Sequence, residues 1–382
     1  MKIISTTFLS LIFLSLAFNF TIIEGGLYFS NVLAFLFGLI IFLNFQLRQI
    51  VIEKSNLLLL FIISIFITLT MDSLTGLKWL YIFYMFYFFF VFFKNYKFDI
   101  NNILITYSLG LTAGTILSFQ FVDISYVGYN LLSNDFRGSI DSLGGYNTFG
   151  VLAAYAILIL IHLQNVHKNI SFKIVFLLSI IILFTAEIST LSRGGMLSLL
   201  SGIFIYGYLR KILVKNLILS ATTITIFILI MISYFDLDFS SIYTRYSFLN
   251  DASGSGRTRL WSYAFSQMNN PFVIIFGHGA GSIGLYTSVT EGLSYDLFES
   301  SHSTYIDVFY EFGLIGICLF ITFLFRIKNQ LDKIDSYNNQ IILKTLFYVM
   351  IINMFFDSYF FSLQISAIYS MFYALFNGAR NA

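Results

Sequence analysis

The chain has 382 residues, 58% of them apolar and 19% aromatic, with only 10% charged, and a mean hydropathy of +0.84. A soluble globular domain carries about a quarter charged residues, so this composition excludes a soluble core and implies a chain that crosses a membrane many times. The net charge of +2 says little as a total; its distribution along the chain says more.

Met1-Lys2-Ile3 leads into an apolar run to about Ile23. No small-residue cleavage site follows, so the run reads as a retained first helix. Runs of spanning length fall at 4–22, 28–43, 56–71, 76–93, 103–122, 147–163, 172–188, 194–210, 216–235, 303–325, 340–356 and 359–376. Each is continuously apolar, whereas barrel strands alternate with period two, so the expected architecture is all-α. The pattern predicts about twelve transmembrane helices in one integral membrane domain over 1–382, or eleven if the last two, parted only at Asp357-Ser358, are continuous. One large polar loop, 236–302, lies between the ninth and tenth runs. The single Cys318 sits in an apolar run, where it forms no internal disulfide and reads as a buried small hydrophobe.

Several polar motifs punctuate the ladder. Arg137 lies in a loop, in Asp135-Phe136-Arg137-Gly138-Ser139. Ser192-Arg193-Gly194-Gly195 sits between two runs and predicts a helix N-terminus, whose free N–H groups suit an anion. An arginine reaching for lipid headgroups fits the same position. Glu187, six residues upstream, is a counter-charge for Arg193 or a proton-handling group. Gly256-Arg257-Thr258-Arg259-Leu260-Trp261 opens an amphipathic stretch that runs to Met268 and is stopped by Pro271; it reads as an interfacial helix or as a phosphate clamp built on Arg257 and Arg259. Gly277-His278-Gly279-Ala280-Gly281-Ser282 is a glycine-rich turn whose N–H groups can cradle an anion, or simply reverse the chain. Ser301-His302-Ser303-Thr304-Tyr305 opens the tenth run, and Asp307 and Glu311 follow at i, i+4 on one face. Carboxylates in a spanning segment need partners, which the loop arginines can supply. A histidine at such a mouth can exchange a proton near neutral pH. No His, Cys and carboxylate cluster has metal-ligand spacing, and no cofactor is expected.

Lys and Arg in alternate loops divide unevenly. Lys2, Arg48, Lys54, Lys94, Lys97, Lys168, Lys173, Arg210, Lys211, Lys215, Arg326, Lys328, Lys333, Lys344 and Arg380 make fifteen on one side; Lys78, Arg137, Arg193, Arg245, Arg257 and Arg259 make six on the other. The positive-inside rule places the fifteen, and both termini, in the cytoplasm, which puts the 236–302 loop outside. The outer set is nearly all arginine, whose planar fork grips two phosphate or carboxylate oxygens at once.

The ordered set of motifs resembles the O-antigen polymerase/O-antigen ligase family of bacterial envelope enzymes. The pieces are Leu191-Ser192-Arg193-Gly194-Gly195-Met196-Leu197, Gly256-Arg257 with Trp261, Phe276-Gly277-His278-Gly279, and Ser301-His302-Ser303-Thr304-Tyr305 with Glu311-Phe312-Gly313-Leu314-Ile315-Gly316. His302-Ser303 departs mildly from the His-Asn common in that family, and Arg257 and Arg259 compete for one family position. The resemblance implies a metal-independent GT-C-like glycosyltransferase of the bacterial inner membrane, with its active site on the periplasmic side. Its donors would be undecaprenyl-diphosphate-linked oligosaccharides within membrane lipid. A chain-length regulator and a flippase are implied as protein partners, and no nucleic acid. Carried over by position, His302, Arg193 and Arg257 (or Arg259) would be catalytic, while Arg259, Arg137, Gly277, Gly279 and Glu311 stand as candidates for the diphosphate or glycan from their own motifs.

The motifs do not separate polymerase from ligase; a Tyr/Phe-rich chain of this size looks more like a polymerase of lipid-linked repeat units. A ligase that transfers finished polysaccharide to lipid A-core is the alternative. A lipid-linked oligosaccharide flippase is a third reading, disfavoured because the polar residues gather at one face instead of lining a central path.

Overall fold

The computed structural model describes residues 21–23, 27–28, 54–71, 77, 79–80, 83–84, 100–120, 146–190, 192–212, 257–283 and 301–357. A short antiparallel pair comes first, β1 (Thr21–Ile23) with β2 (Leu27–Tyr28). It corrects the reading of 4–22 as helical to its end. Thr21, Ile22 and Ile23 are β-branched and Gly25-Gly26 follow, a sequence suited to a hairpin.

Among the described residues everything else regular is helical: α1 (Lys54–Leu69), α2 (Ile100–Gln120), α3 (Tyr146–Val166), α4 (Ile170–Thr190), α5 (Arg193–Leu209), α6 (Arg257–Gln267), α7 (Pro271–Phe276), α8 (Thr304–Leu331) and α9 (Tyr337–Phe356). Four of them, α3, α4, α8 and α9, hold stretches long and apolar enough to cross a membrane. These are the runs expected at 147–163, 172–188, 303–325 and 340–356, while α1, α2 and α5 overlie those at 56–71, 103–122 and 194–210. The helix α9 ends at Phe356 and Asp357 is not helical; Ser358 lies outside the described residues. The runs 216–235 and 359–376, nearly all of 4–22 and 28–43, and most of 76–93 lie outside the described residues, as does Arg137.

The chain divides into two compact units. The first comprises Met1–Leu33, Phe98–Asn250 and Ser336–Met350. Its centre is α3, which packs against α2, α4 and α5. From Phe149 to Leu160 nearly every side chain of α3 is buried, Ala153, Ala154 and Ala156 among them; small residues let neighbouring helices approach closely where no hydrophobic force drives them together. The helix α4 instead leaves Ile170, Phe172, Ile174, Val175, Leu177, Leu178 and Ile181 exposed, an apolar face suited to lipid. Several polar groups in this interior are paired. Tyr107 donates its hydroxyl to Leu152 O at 3.0 Å, the Tyr206 hydroxyl and His162 Nδ1 lie 3.3 Å apart, and Arg210 donates to Asn338 Oδ1 at 2.9 Å.

The second unit comprises Ala34–Lys97, Asp251–Asp335 and Ile351–Ala382. Here α6 and α7 pack on α8 around Ala264, Met268, Ile283 and Tyr310. Aromatic rings join α1 and the helical residues near Trp79 to α8: Phe66 and Trp79 meet Phe312 at 5.8 and 5.2 Å, and Phe83 meets Phe323 at 6.2 Å. Cys318, expected to be buried, is exposed. It lies on a stripe of α8 with exposed Leu314, Ile321 and Phe325, the helical spacing of a lipid-facing side. In a bilayer the outside of a helix is as apolar as its inside, so hydrophobicity alone does not imply burial.

A residue with no side chain sets the spacing of α5 from α3 and α9. A Cβ on Gly202 would overlap Leu158 Cδ1 and lie 3.1 Å from Val349 Cγ2. Gly202→Leu is expected to destabilise the protein by about 1–3 kcal/mol through overpacking. The measurement is a lower melting temperature of the detergent-solubilised protein.

Candidate functional site

The second unit gathers most of the polar residues singled out by the sequence. Thr304 begins α8, and the three residues before it form a tight turn. Ser301 N–H donates to Asp307 Oδ1 at 2.8 Å, Ser303 N–H to Ser301 Oγ at 3.2 Å, and Asp307 N–H to Ser303 O at 2.9 Å. The Asp307 carboxylate thus reaches back over one helical turn to hold the segment that carries His302. His302 itself adopts φ 56°, the left-handed region. Histidine tolerates that region better than most residues but still stores strain there, so the turn is held by its bonds and not by intrinsic preference.

The His302 imidazole is half-buried, and its Nδ1 lies 3.3 Å from Asp357 Oδ1. Asp357 directly follows α9, and that helix end is stitched to the start of α8. Thr304 Oγ1 donates to Asp357 O at 3.1 Å and the Tyr305 hydroxyl to Ile351 O at 3.1 Å. The carboxylate therefore engages one ring nitrogen and leaves Nε2 to face elsewhere. Asp357 was visible in the sequence only as a break between two apolar runs. The signal that would have promoted it is the cost of placing an acid at that depth, which demands a partner.

The predicted interfacial helix forms as α6, beginning at Arg257 and ending at Gln267. Arg257 is half-buried, and of Arg259 only the backbone is described. One turn on, Trp261 Nε1 donates to Ser301 O at 3.0 Å, which ties the arginine-bearing helix to the residue beside His302. Pro271 ends the amphipathic stretch as expected and also opens a further helix. Asn270 caps α7, accepting from Phe272 N–H at 2.9 Å, and Pro271 takes the first helical position, where its missing N–H costs nothing.

The glycine-rich turn holds a carboxyl group, and that group belongs to the protein. The Glu311 carboxylate is buried; Trp79 Nε1 donates to its Oε2 at 2.5 Å, and the backbone N–H groups of Gly281 and Ile283 donate to it as well. Gly277 and Gly279, expected at a substrate anion, give their N–H groups to Val273 O at 2.7 Å and Glu311 O at 2.9 Å, while His278 N–H goes to Tyr310 O and Ala280 N–H to Thr70 O, both at 2.9 Å. Glu311, expected on the diphosphate or glycan, is thus bonded internally, and its partners among the described residues are an indole and the turn. The His278 ring stacks on Tyr310, centroids 4.4 Å apart. Close approach is possible because α8 breaks at Gly313 (φ 61°, ψ −157°), where any Cβ would strike Ile275 C and O.

Arg193 lies in the first unit, at the first position of α5. Ser192 caps that helix, its Oγ accepting from Gly195 N–H at 3.1 Å. The buried Glu187 sits in the notch left by Gly150 and Gly195, where a Cβ on Gly195 would overlap its Oε1 and the Gly150 backbone. The helix N-terminus predicted by Ser192-Arg193-Gly194-Gly195 is therefore present, and Gly150 and Gly195 serve the close crossing of α3 and α5. Among the described residues no group of three His, Cys, Asp or Glu side chains is placed to hold a metal ion.

Four helices long and apolar enough to span a bilayer define a membrane protein; the first unit carries the capped N-terminus at Arg193, and the second carries the arginine-led helix and the carboxylate-held histidine. Residues 174–321 match the family model described as O-antigen ligase. The matched stretch includes Arg193, Arg257, Arg259 and His302; it stops short of Asp357. No curated protein matches the chain.

Replacing the anchor tests its role. Glu311→Ala is expected to orphan three buried donors, at about 1–3 kcal/mol each, whereas Glu311→Gln keeps an acceptor and loses less. Thermal melting of the two variants in detergent should rank them wild type, Gln, Ala.

Proposed function

We propose that the chain is a surface-polysaccharide polymerase, a glycosyltransferase that joins oligosaccharide repeat units carried on undecaprenyl diphosphate at the periplasmic face of the inner membrane. The observation that carries the proposal is the O-antigen ligase match over 174–321 with His302 at its helix mouth, paired with Asp357.

In the reaction a hydroxyl oxygen of the acceptor sugar attacks the anomeric carbon of the donor. The C–O bond to the diphosphate breaks, and lipid diphosphate leaves with increased negative charge. Arg257 and Arg259 at the start of α6 are suited to that charge, since cations that bind more tightly as it grows lower the barrier. His302 takes the hydroxyl proton on the nitrogen not engaged by Asp357, a role worth roughly 10²–10⁴-fold. Asp357 fixes the ring's orientation. The resemblance carries over Arg193, at a helix N-terminus, as a further cation for the reaction. An apolar cleft of about 440 Å³, open mouth included, runs beside Phe312, Gly316 and Phe323 of α8 and suits a lipid chain. A metal ion is not required by this scheme.

The ligase reading is favoured by the description of the matching family. The two part in cells: loss of a polymerase leaves core bearing one repeat, whereas loss of a ligase leaves bare core and accumulated lipid-linked polymer.

Arg193→Ala, Arg257→Ala and His302→Ala are expected to insert normally and to lower elongation of purified lipid-diphosphate repeats by on the order of 10²–10³-fold or more. Arg257→Lys should fail as well if the site uses both arms of the guanidinium. Asp357→Ala should lower turnover less than His302→Ala, because it removes an orienting group and leaves the base. Wild-type product from the His302 or Arg257 variants would refute the assignment.

A further inference from the structure

The stretch from Leu260 to Ile283 contains no Asp, Glu, Lys or Arg, although sequence reading places it in a loop outside the bilayer. Its apolar residues are not all turned inward. Phe265 is 56% exposed, Phe272 65%, Ile275 42% and Phe276 36%. Phe272, Ile275 and Phe276 stand at i, i+3 and i+4, on one face of α7, and the Phe272 and Phe276 rings meet at 4.7 Å. In water such a patch would be a liability.

The depth of this segment follows from what it is bonded to. His278 and Gly279 pair with the carbonyls of Tyr310 and Glu311, and Ile275 abuts Gly313. Gly313 is nine residues past Thr304 on a helix whose apolar span is Thr304–Asn329. At 1.5 Å per residue, that places α7 about 13 Å along α8 from its start. Irregular backbone survives at such depth only when protein satisfies it, and this one meets the condition. Every N–H from Gly277 to Ile283 has a partner: Val273 O, Tyr310 O, Glu311 O, Thr70 O and Gly279 O for five of them, and the Glu311 carboxylate for Gly281 and Ile283.

We infer that α7 and the turn after it re-enter the bilayer, with Phe272, Ile275 and Phe276 facing acyl chains in the leaflet nearer Thr304. The surface is lipid-docking, its occupant the hydrocarbon of that leaflet. The inference does not depend on the chemistry proposed for His302.

The test uses full-length protein in phosphatidylcholine vesicles, in a Cys318→Ser background. Single variants Phe272→Cys and Phe276→Cys carry a bimane fluorophore. Leu314→Cys, exposed on α8, serves as the lipid reference, and Ser336→Cys, in the polar turn before α9, as the water reference. Melting temperatures confirm that each variant is folded. Labels at 272 and 276 should lose fluorescence to doxyl-labelled phosphatidylcholine as the label at 314 does, and resist aqueous iodide. Quenching by iodide to the extent seen at 336 would overturn the inference. So would protection from both quenchers, which would mean that protein covers the patch.

Discussion

Hydrocarbon offers no water to a broken backbone, and the seam between α8 and the 277–283 turn is where this chain meets that constraint most directly. The helix α8 breaks at Gly313, an acid is buried two residues earlier, and a glycine turn lies alongside. Each of these would be costly alone. Together they cancel: the turn supplies N–H groups, Glu311 supplies carboxylate and carbonyl, and Trp79 closes the set. The glycines at 277 and 313 are required because each faces bare backbone of the other segment. Whatever the polar end of α8 does, it does on a platform fixed by this seam.

Much of this was legible in the sequence and some was not. Continuous apolar runs located α3, α4, α8 and α9 within a few residues, because a spanning helix must be long and uninterrupted. One helix start was legible too, at Ser192-Arg193-Gly194-Gly195, whereas Pro271 was read only as a stop and the cap that Asn270 supplies before it went unread. The glycine-rich turn was read as an anion cradle or a simple reversal, and in the fold its N–H groups turn to the protein's own acceptors. Spacing shows that N–H groups are presented; only the fold shows that Glu311, thirty residues on from Gly281, occupies them. Cys318 was misjudged for a different reason, since periodicity in a bilayer does not separate a lipid-facing side from a packed one. Asp357 was seen as punctuation, because nothing local connects it to a histidine in another helix mouth.

The histidine turn shows how position is bought with strain. His302 is left-handed, and Ser301, Ser303 and Asp307 hold it there through short-range bonds, with Trp261 clasping the Ser301 carbonyl from α6. A ring so constrained samples few orientations, which suits a group that must meet a proton at a set angle.

The carboxylate beside that ring comes from the far end of α9, beyond residue 321 where the family match stops. A chimera that transplanted residues 174–321 into a distant relative would carry the imidazole without its companion acid. Exchange of this segment alone would therefore be expected to yield hybrids that insert and fold yet work poorly, until the terminus of the following helix travels with it.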